Sequence, residues 1–373
     1  MSNTLGKALT LTLFGESHGA SVGCVVDGIA AGIKVDEAFI ASQMDKRRAK
    51  GLISTQRHEG DIVLIQSGVV NGYTTGTPLC LIIQNTNTKS GDYSKTQGLL
   101  RPGHADFTAH IKYKGFEDAR GGGHFSGRLT APIVAAASIF VDLFKSKNVH
   151  IATHLLKCAG VEDASFSAEF EILAKQINQL NISDFAVLDT EAGEVMQEKI
   201  ENAAKEGDSV GGVLETIITG LPVGLGEPFF NSVESALAHA LFSIPAVKGV
   251  EFGIGFRFAD KKGSEANDFF ITDGKNIFTK TNNNGGINGG ITNGMPIIVR
   301  TVIKPTPSIY KQQQTVNIDT MTNETLQLHG RHDPCILHRA RVVQDSLCAL
   351  VLADLATQVY GVTWQEAKPW ITG

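Results

Sequence analysis

The sequence lacks the short motifs and cysteine pairs that assign many proteins to a class at once. It contains no G-x-G-x-x-G after a predicted strand and no G-x-x-x-x-G-K-[ST], so neither a Rossmann dinucleotide site nor a P-loop is supported. Its five cysteines are scattered, odd in number and mostly in apolar stretches, which predicts buried thiols rather than a disulfide framework. Neither HExxH nor a paired Cys/His spacing occurs, so no metal site is predicted.

A positive charge excess and long apolar runs are also missing. Lys and Arg number 33 against 38 Asp and Glu, and this formal net charge of −5 argues against a general nucleic-acid binder. The longest apolar runs, such as residues 133–144, are too short and too interrupted to span a bilayer. The N-terminal residues do not follow the charged, apolar and small-residue pattern of a secretory signal, which predicts a cytoplasmic location.

Glycine, in contrast, is abundant. There are 40 glycines in 373 residues, whereas roughly 7% is usual. Three of them stand together in "RGGGHFSGRLTAP" at 120–132, where the missing Cβ atoms allow positive φ and close approach of a bulky group. The following residues predict a buried helix over about 129–144. A Gly-rich turn before a helix has the general features of an anion-binding site. A tight loop before a core helix explains the same residues equally well.

One pattern occurs twice along the chain. "SVGCVVDGIAAGI" at 21–33 and "SVGGVLETIITGLPVGL" at 209–225 are apolar extended runs that end in a GxxxG turn. The elements that follow keep the same order in both halves, which predicts an internal duplication with pseudo-twofold symmetry, although chance similarity is the alternative. These elements are a helix (35–51 and 231–242), a Gly-x-Pro strand (75–86 and 293–306), a polar loop (101–106 and 331–334) and an apolar helix (129–144 and 339–359).

The predicted halves span about 8–149 and 208–360, within a chain long enough for one to three domains. The segment 150–207 interrupts the repeat with two amphipathic helical stretches and predicts a peripheral insertion. The run "TNNNGGINGGITNG" at 281–294 predicts a loop or a bulged strand edge near a ligand.

Two loops carry residues suited to proton transfer. The strand at 8–14 leads into "GESHG", whose flanking glycines predict a sharp turn that presents Ser17 and His18. A serine hydrolase is a weak alternative because Ser17 is not centred between the glycines. In "RPGHAD", Arg101, His104 and Asp106 offer a donor, an imidazole and a carboxylate that could orient it.

Basic residues are concentrated at 46–57. Some of this charge is expected at a helix C-terminus closed by Gly51. Arg57, Arg128 and Arg331 would bind a multiply charged anion if the fold gathers them, since guanidinium groups match carboxylates and phosphates. The residues alone therefore predict an enzyme that acts on a small polyanion and uses histidines as proton donors.

Six motifs, "FGESHG", "TTGTP", "RPGHADFT", "RGGGHFSGRLTAP", "KPTPS" and "GRHDPC", follow one another across nearly all of the chain. In this order they resemble the chorismate synthase family. The resemblance implies a carbon–oxygen lyase of the shikimate pathway that converts 5-enolpyruvylshikimate 3-phosphate to chorismate and phosphate by a 1,4-elimination. It also implies a requirement for reduced FMN, an association with NADP, a homotetramer, and an α+β fold in which the duplicated sheet-and-helix halves form one domain over 1–373.

The resemblance also assigns roles to residues. It implies that His18 protonates the leaving phosphate, that His104 protonates the reduced flavin, and that Ser17 and Asp333 relay the substrate proton. It implies that the glycine triplet lets the backbone approach the flavin. The substrate-anchoring positions are Arg47, Arg48, Arg57, Arg128 and Arg331, and the flavin-binding positions are His124, Phe125, Ser126, Gly289, Lys304, Pro305, Thr306, Pro307, Ser308 and Arg331.

Three positions depart from the family pattern: Leu129, Pro245 and Asp345 stand where Glu, Asn and Glu are usual. The chain resembles the monofunctional members, which depend on flavin reduced elsewhere. Two other classes remain open at this point. One is a flavin-binding or anion-binding module without turnover, and the other is an RNA-binding protein that uses residues 46–57 and whose affinity would fall steeply with salt.

Overall fold

The computed structural model describes residues 3–51, 53–54, 60–86, 98–328 and 332–366. In the first half, the elements are β1 (Thr4–Leu5), β2 (Thr10–Gly15), β3 (Ser21–Asp27), β4 (Ala31–Lys34), α1 (Glu37–Lys46), β5 (Val63–Ser67), β6 (Val69–Val70), β7 (Tyr73–Thr75), β8 (Leu79–Gln84), α2 (Asp106–Tyr113) and α3 (Thr130–Lys145). Two 3₁₀ turns, Gly123–Phe125 and Gly127–Leu129, precede α3.

The second half contains β9 (His150–Cys158), β10 (Val161–Glu162), α4 (Phe170–Ile182), α5 (Thr190–Lys205), β11 (Gly212–Thr219), α6 (Val233–Leu241), β12 (Val247–Phe252), α7 (Gly263–Ala266), β13 (Phe270–Thr272), β14 (Ile277–Thr279), β15 (Ile287–Asn288), β16 (Ile291–Thr292), β17 (Ile297–Ile303), β18 (Gln313–Asn317), β19 (Thr322–Leu326) and α8 (Leu337–Tyr360). The fold is therefore a mixture of helices and mainly antiparallel strands, as the predicted α+β class requires.

Two five-stranded antiparallel sheets share one connection pattern. Their strand orders are β1-β2-β3-β8-β5 and β10-β9-β11-β17-β12. In each sheet a strand pair (β2–β3 or β9–β11) leads to a helix (α1 or α6) and then to an edge strand (β5 or β12). The next long strand (β8 or β17) inserts between the pair and the edge strand, and a long helix (α3 or α8) follows. This recurrence supports the predicted duplication.

Residues 150–158 differ from the prediction. The sequence assigned them to a peripheral insertion, but they form β9, which pairs with β11 from Ile151–Ile218 through Cys158–Gly212. The strand is buried on both faces, so it shows no alternation of polar and apolar residues. The helical part of the predicted insertion is present as α4 and α5. Helix α1 also ends earlier than predicted, with Arg47 rather than Gly51 after its last turn.

The long helices α3 and α8 pack against each other, α3 on the first sheet and α8 on the second. Both predicted apolar helices are thereby confirmed. By length and composition alone both could cross a membrane, but most of each helix is buried inside the protein, as is usual for core helices. Residues of both halves form a single hydrophobic core around them.

Two of the departures from the family pattern lie in this core. Leu129 is buried at the start of α3. The Asp345 carboxylate accepts a hydrogen bond from the Thr153 hydroxyl at 2.6 Å, and burial raises the pKa of this carboxyl group. Asp345 thus faces the second sheet, where it takes part in packing.

Candidate active site

The "GESHG" loop lies directly against the glycine triplet. The Ser17 amide donates to the Gly123 carbonyl at 3.1 Å, and His124 Nδ1 lies 2.9 Å from the Gly15 carbonyl oxygen. Ser17 and His18 are both buried, and Ser17 Oγ lies 3.2 Å from His18 Nδ1. Two motifs that are about a hundred residues apart therefore form one structural unit.

The glycines at 121–123 are required by the chain itself. A Cβ atom at Gly121, whose φ is +65°, would lie 2.6 Å from His18 Nδ1 and 3.0 Å from Ser17 Oγ. A Cβ atom at Gly123, with φ of +52°, would overlap the Asp118 carbonyl oxygen. In the structure Gly121 makes room for the His18 ring. The approach of a flavin to the triplet stays a prediction.

Replacement of Gly121 by alanine tests this contact. We expect positive φ to cost about 1–2 kcal/mol of stability and the displaced His18 ring to lower turnover about 10²-fold. Gly72→Ala is the matched control, because Gly72 has φ of +79° but its Cβ would meet nothing within 4 Å. Turnover and thermal unfolding are measured for both variants; equal turnover would contradict the role of Gly121.

Arg47, Asp61 and Arg128 form a buried charged triad. Arg47 NH1 lies 3.0 Å from Asp61 Oδ2, and Arg128 NH1 donates to Asp61 Oδ1. All three side chains are almost completely inaccessible to solvent. One carboxylate thus holds two of the predicted substrate-anchoring arginines. Sequence reasoning missed Asp61, which has no motif around it and reaches these arginines only through the fold.

Asn85, at the end of β8, connects this triad to the histidine loop. Its side-chain oxygen accepts from Arg128 Nε at 3.0 Å, and its amide nitrogen donates to the Glu16 and Gly19 carbonyls at 3.0 and 2.9 Å. Asn85 therefore holds Arg128 in a fixed position relative to the loop that carries Ser17 and His18. Sequence reasoning missed this residue as well.

The other predicted arginines differ in environment. Arg48 pairs with Asp45 at 3.1 Å and donates to the Gly60 carbonyl at 2.6 Å, and 41% of its side chain is exposed. Its Nε is buried with no hydrogen-bond partner among the described residues. Arg57 and Arg331 lie outside the described residues.

The "RPGHAD" loop has the predicted arrangement. Arg101 donates to both carboxylate oxygens of Asp106, at 2.8 and 2.7 Å, and His104 Nδ1 lies 2.7 Å from Asp106 Oδ1. Burial alone would raise the pKa of the Asp106 carboxyl group, but the hydrogen bonds from Arg101 and His104 outweigh it and hold this pKa well below its usual range. Asp106 therefore orients His104, as expected from the sequence.

The "KPTPS" segment lies beside this loop. Lys304 Nζ donates to the Gly103 carbonyl at 2.6 Å, and a Cβ atom at Gly103 would lie 3.3 Å from Pro307 Cβ. The Lys304 amide donates to Ala246, the residue after Pro245. The hydroxyl of Thr306 is buried and has no hydrogen-bond partner in the described part of the chain.

Asp333 is connected through Arg339 to Arg47 of the charged triad. Arg339 NH1 donates to Asp333 Oδ2 at 2.6 Å, and Arg339 Nε donates to the Arg47 carbonyl at 2.9 Å. Next to Asp333, burial and then the charge of Arg101 lower the pKa of His332. The Lys304–Gly103 and Arg339–Arg47 hydrogen bonds thus join polar segments of the two halves.

The remaining flavin positions lie on several elements. Phe125 packs edge-on against Tyr113 with ring centroids 6.2 Å apart, and Ser126 accepts from the Arg128 amide at 3.2 Å. Pro305 and Ser308 belong to the Lys304 segment. Gly289 lies in the turn between β15 and β16. Along the chain, β17 separates this turn from Lys304.

Known proteins resemble this chain in both sequence and fold. The family model of chorismate synthase matches residues 9–357. Chorismate synthase of Dehalococcoides mccartyi strain BAV1 is 47% identical over 357 residues, covering 95% of this chain and 97% of the relative. The enzyme of Pyrococcus abyssi is 47% identical over 350 residues, covering 94% and 96%. A crystal structure of chorismate synthase matches with a TM-score of 0.75 and 29% identity, covering 95% of this chain and 94% of that one. The chain belongs to the chorismate synthase family, the lyases that form chorismate in the shikimate pathway.

Proposed function

We propose that the elimination of phosphate from 5-enolpyruvylshikimate 3-phosphate takes place where the polar loops of the two halves meet, and that it requires reduced FMN. The observation that carries this proposal is the pair of contacts across the halves. Arg339 joins Asp333 to Arg47, and Lys304 joins the "KPTPS" segment to Gly103. Asn85 then links Arg128 to the loop that carries His18.

The residues around Lys304 fit a flavin phosphate or ring. Buried polar atoms without partners are rare in proteins, yet Thr306 Oγ1 and His332 Nε2 are both buried and lack a partner among the described residues. A hydrogen-bonding ligand would satisfy them, and Lys304 supplies a cation for a phosphate group. When bound, the reduced flavin would supply the electron-rich ring that assists departure of the substrate phosphate. Gly289 stays in the proposal as a further flavin-binding position.

The substrate carries two carboxylates and a phosphate. Some of the arginines are suited to contact it directly, and others hold those arginines in place. Arg47 donates to Asp61, to the Thr130 hydroxyl at 2.8 Å and to the Gly127 carbonyl at 2.9 Å. We assign it to the support of Arg128 rather than to the substrate itself. Arg48, with its partly exposed side chain, is the better candidate for direct contact. Arg57 and Arg331 stay in the proposal as further anchoring positions.

Proton transfer is assigned to the histidines and to the Ser17 and Asp333 pair. His18, when protonated, would donate to the oxygen of the leaving phosphate, since a buried acid avoids competition with water. Asp106 accepts from His104 Nδ1 and so fixes the orientation of this imidazole. Ser17 and Asp333 are the proposed relay for the proton removed from the substrate.

We also propose a cytoplasmic homotetramer that receives flavin reduced by a separate protein. Support for an assembly comes from large apolar side chains on the surface of the second half. A monomer rarely exposes many such side chains without an interface to cover them. Among them are Phe229, Phe230, Phe256, Phe269 and Phe270.

Anaerobic phosphate release from 5-enolpyruvylshikimate 3-phosphate tests the proposed function. We expect phosphate and chorismate in equal amounts with chemically reduced FMN and none with oxidised FMN. Equal release with both forms would contradict the requirement for reduced flavin. No release from folded, FMN-saturated protein would favour a binding module without turnover.

A further inference from the structure

We propose that Arg339 is a positioning residue that holds Asp333 in register with the arginine cluster. This inference rests on the proposed function, because the relay role of Asp333 is itself proposed. Arg339 lies in the first turn of α8, where NH1 donates to Asp333 Oδ2 at 2.6 Å and Nε donates to the Arg47 carbonyl at 2.9 Å. None of the six motifs includes Arg339.

The contacts on either side of Arg339 determine what it can position. Asp333 precedes α8, whereas Arg47 caps α1 and reaches Asp61 and, through it, Arg128. Arg339 therefore lies between the carboxylate of one half and the arginines of the other. Its helix is buried between α3 and the second sheet, which provides a rigid base for the guanidinium group.

Arginine is suited to this position for geometric reasons. A planar guanidinium presents several donors at fixed angles, so one side chain can hold a carboxylate and a carbonyl simultaneously. The side chains of Arg339 and Asp333 are only 22% and 16% exposed, so solvent screens their attraction less than at the open surface. The pair thus orients the Asp333 carboxylate.

The test compares Arg339→Gln, Arg339→Lys and Asp333→Asn in the full-length, FMN-saturated protein with reduced flavin. We expect Arg339→Gln to lower kcat about 10- to 100-fold by misplacing Asp333, with KM unchanged within about twofold. Arg339→Lys should restore only part of kcat, because it keeps a cation beside Asp333 but lacks the planar set of donors.

Lys157→Gln is the matched control, since it removes an exposed ion pair with Glu162 on the β9–β10 hairpin. It should leave both kcat and KM unchanged. Wild-type kcat in Arg339→Gln, while Asp333→Asn loses turnover, would overturn the positioning role alone. Wild-type turnover in Asp333→Asn would instead remove the relay from the proposed function. If Arg339→Gln does not fold, Arg339→Lys becomes the test of the positioning role. Wild-type kcat in Arg339→Lys would then contradict the proposal.

Discussion

Replacement of His18 by alanine is expected to lower turnover by about 10²- to 10⁴-fold, the range by which general acid catalysis accelerates reactions. The leaving phosphate would then depart without a proton from the enzyme. The Ser17 hydroxyl remains in place through its contacts with the Arg120 carbonyl and the Gly122 amide. Most of the loop should therefore keep its structure, and the loss in turnover should far exceed the loss in stability.

Single-turnover phosphate release with reduced FMN, together with thermal unfolding, separates these two effects. His104→Ala should behave similarly, because His104 is the second proposed proton donor. His150→Ala serves as the control, since His150 lies at the far end of β9, outside the loops of the site. Near-wild-type rates in both His18→Ala and His104→Ala would rule out their assignment as proton donors.

Asp61→Asn is expected to lower the free energy of unfolding by about 3–5 kcal/mol, as measured when one partner of a buried ion pair is removed. Two buried guanidinium groups would then face each other without a carboxylate between them. Asparagine is the appropriate substitution because Asp61 has φ of +45°, a conformation that asparagine tolerates. The loss therefore reports the missing charge and not backbone strain.

Urea unfolding of Asp61→Asn measures this effect. The control is Asp208→Asn, which removes an exposed ion pair with Lys311 and should change stability by at most about 1 kcal/mol. We also expect weaker substrate binding in Asp61→Asn, because Arg128 would lose its orientation. Equal stability of the two variants would mean that the triad contributes no more than a surface pair.

Features that depend on residues close together in the chain could be predicted from the sequence. The apolar helices α3 and α8 were predicted because apolar residues predominate in both segments over several helical turns. The role of Asp106 beside His104 was predicted because two residues in one short loop cannot lie far apart. The order of six motifs was sufficient to indicate the family, since each motif is local and their joint occurrence is specific.

The tertiary structure alone decided which distant residues complete the site. Asp61, Asn85 and Arg339 have no motif, and each acts by reaching a partner that is 14 to 292 positions away. The same holds for Gly121, whose Cβ would meet His18. It also holds for Gly289, which β17 separates along the chain from the "KPTPS" segment. Side-chain periodicity and composition describe a residue's own segment, whereas a buried charge pair or a steric exclusion depends on which segments the core brings together.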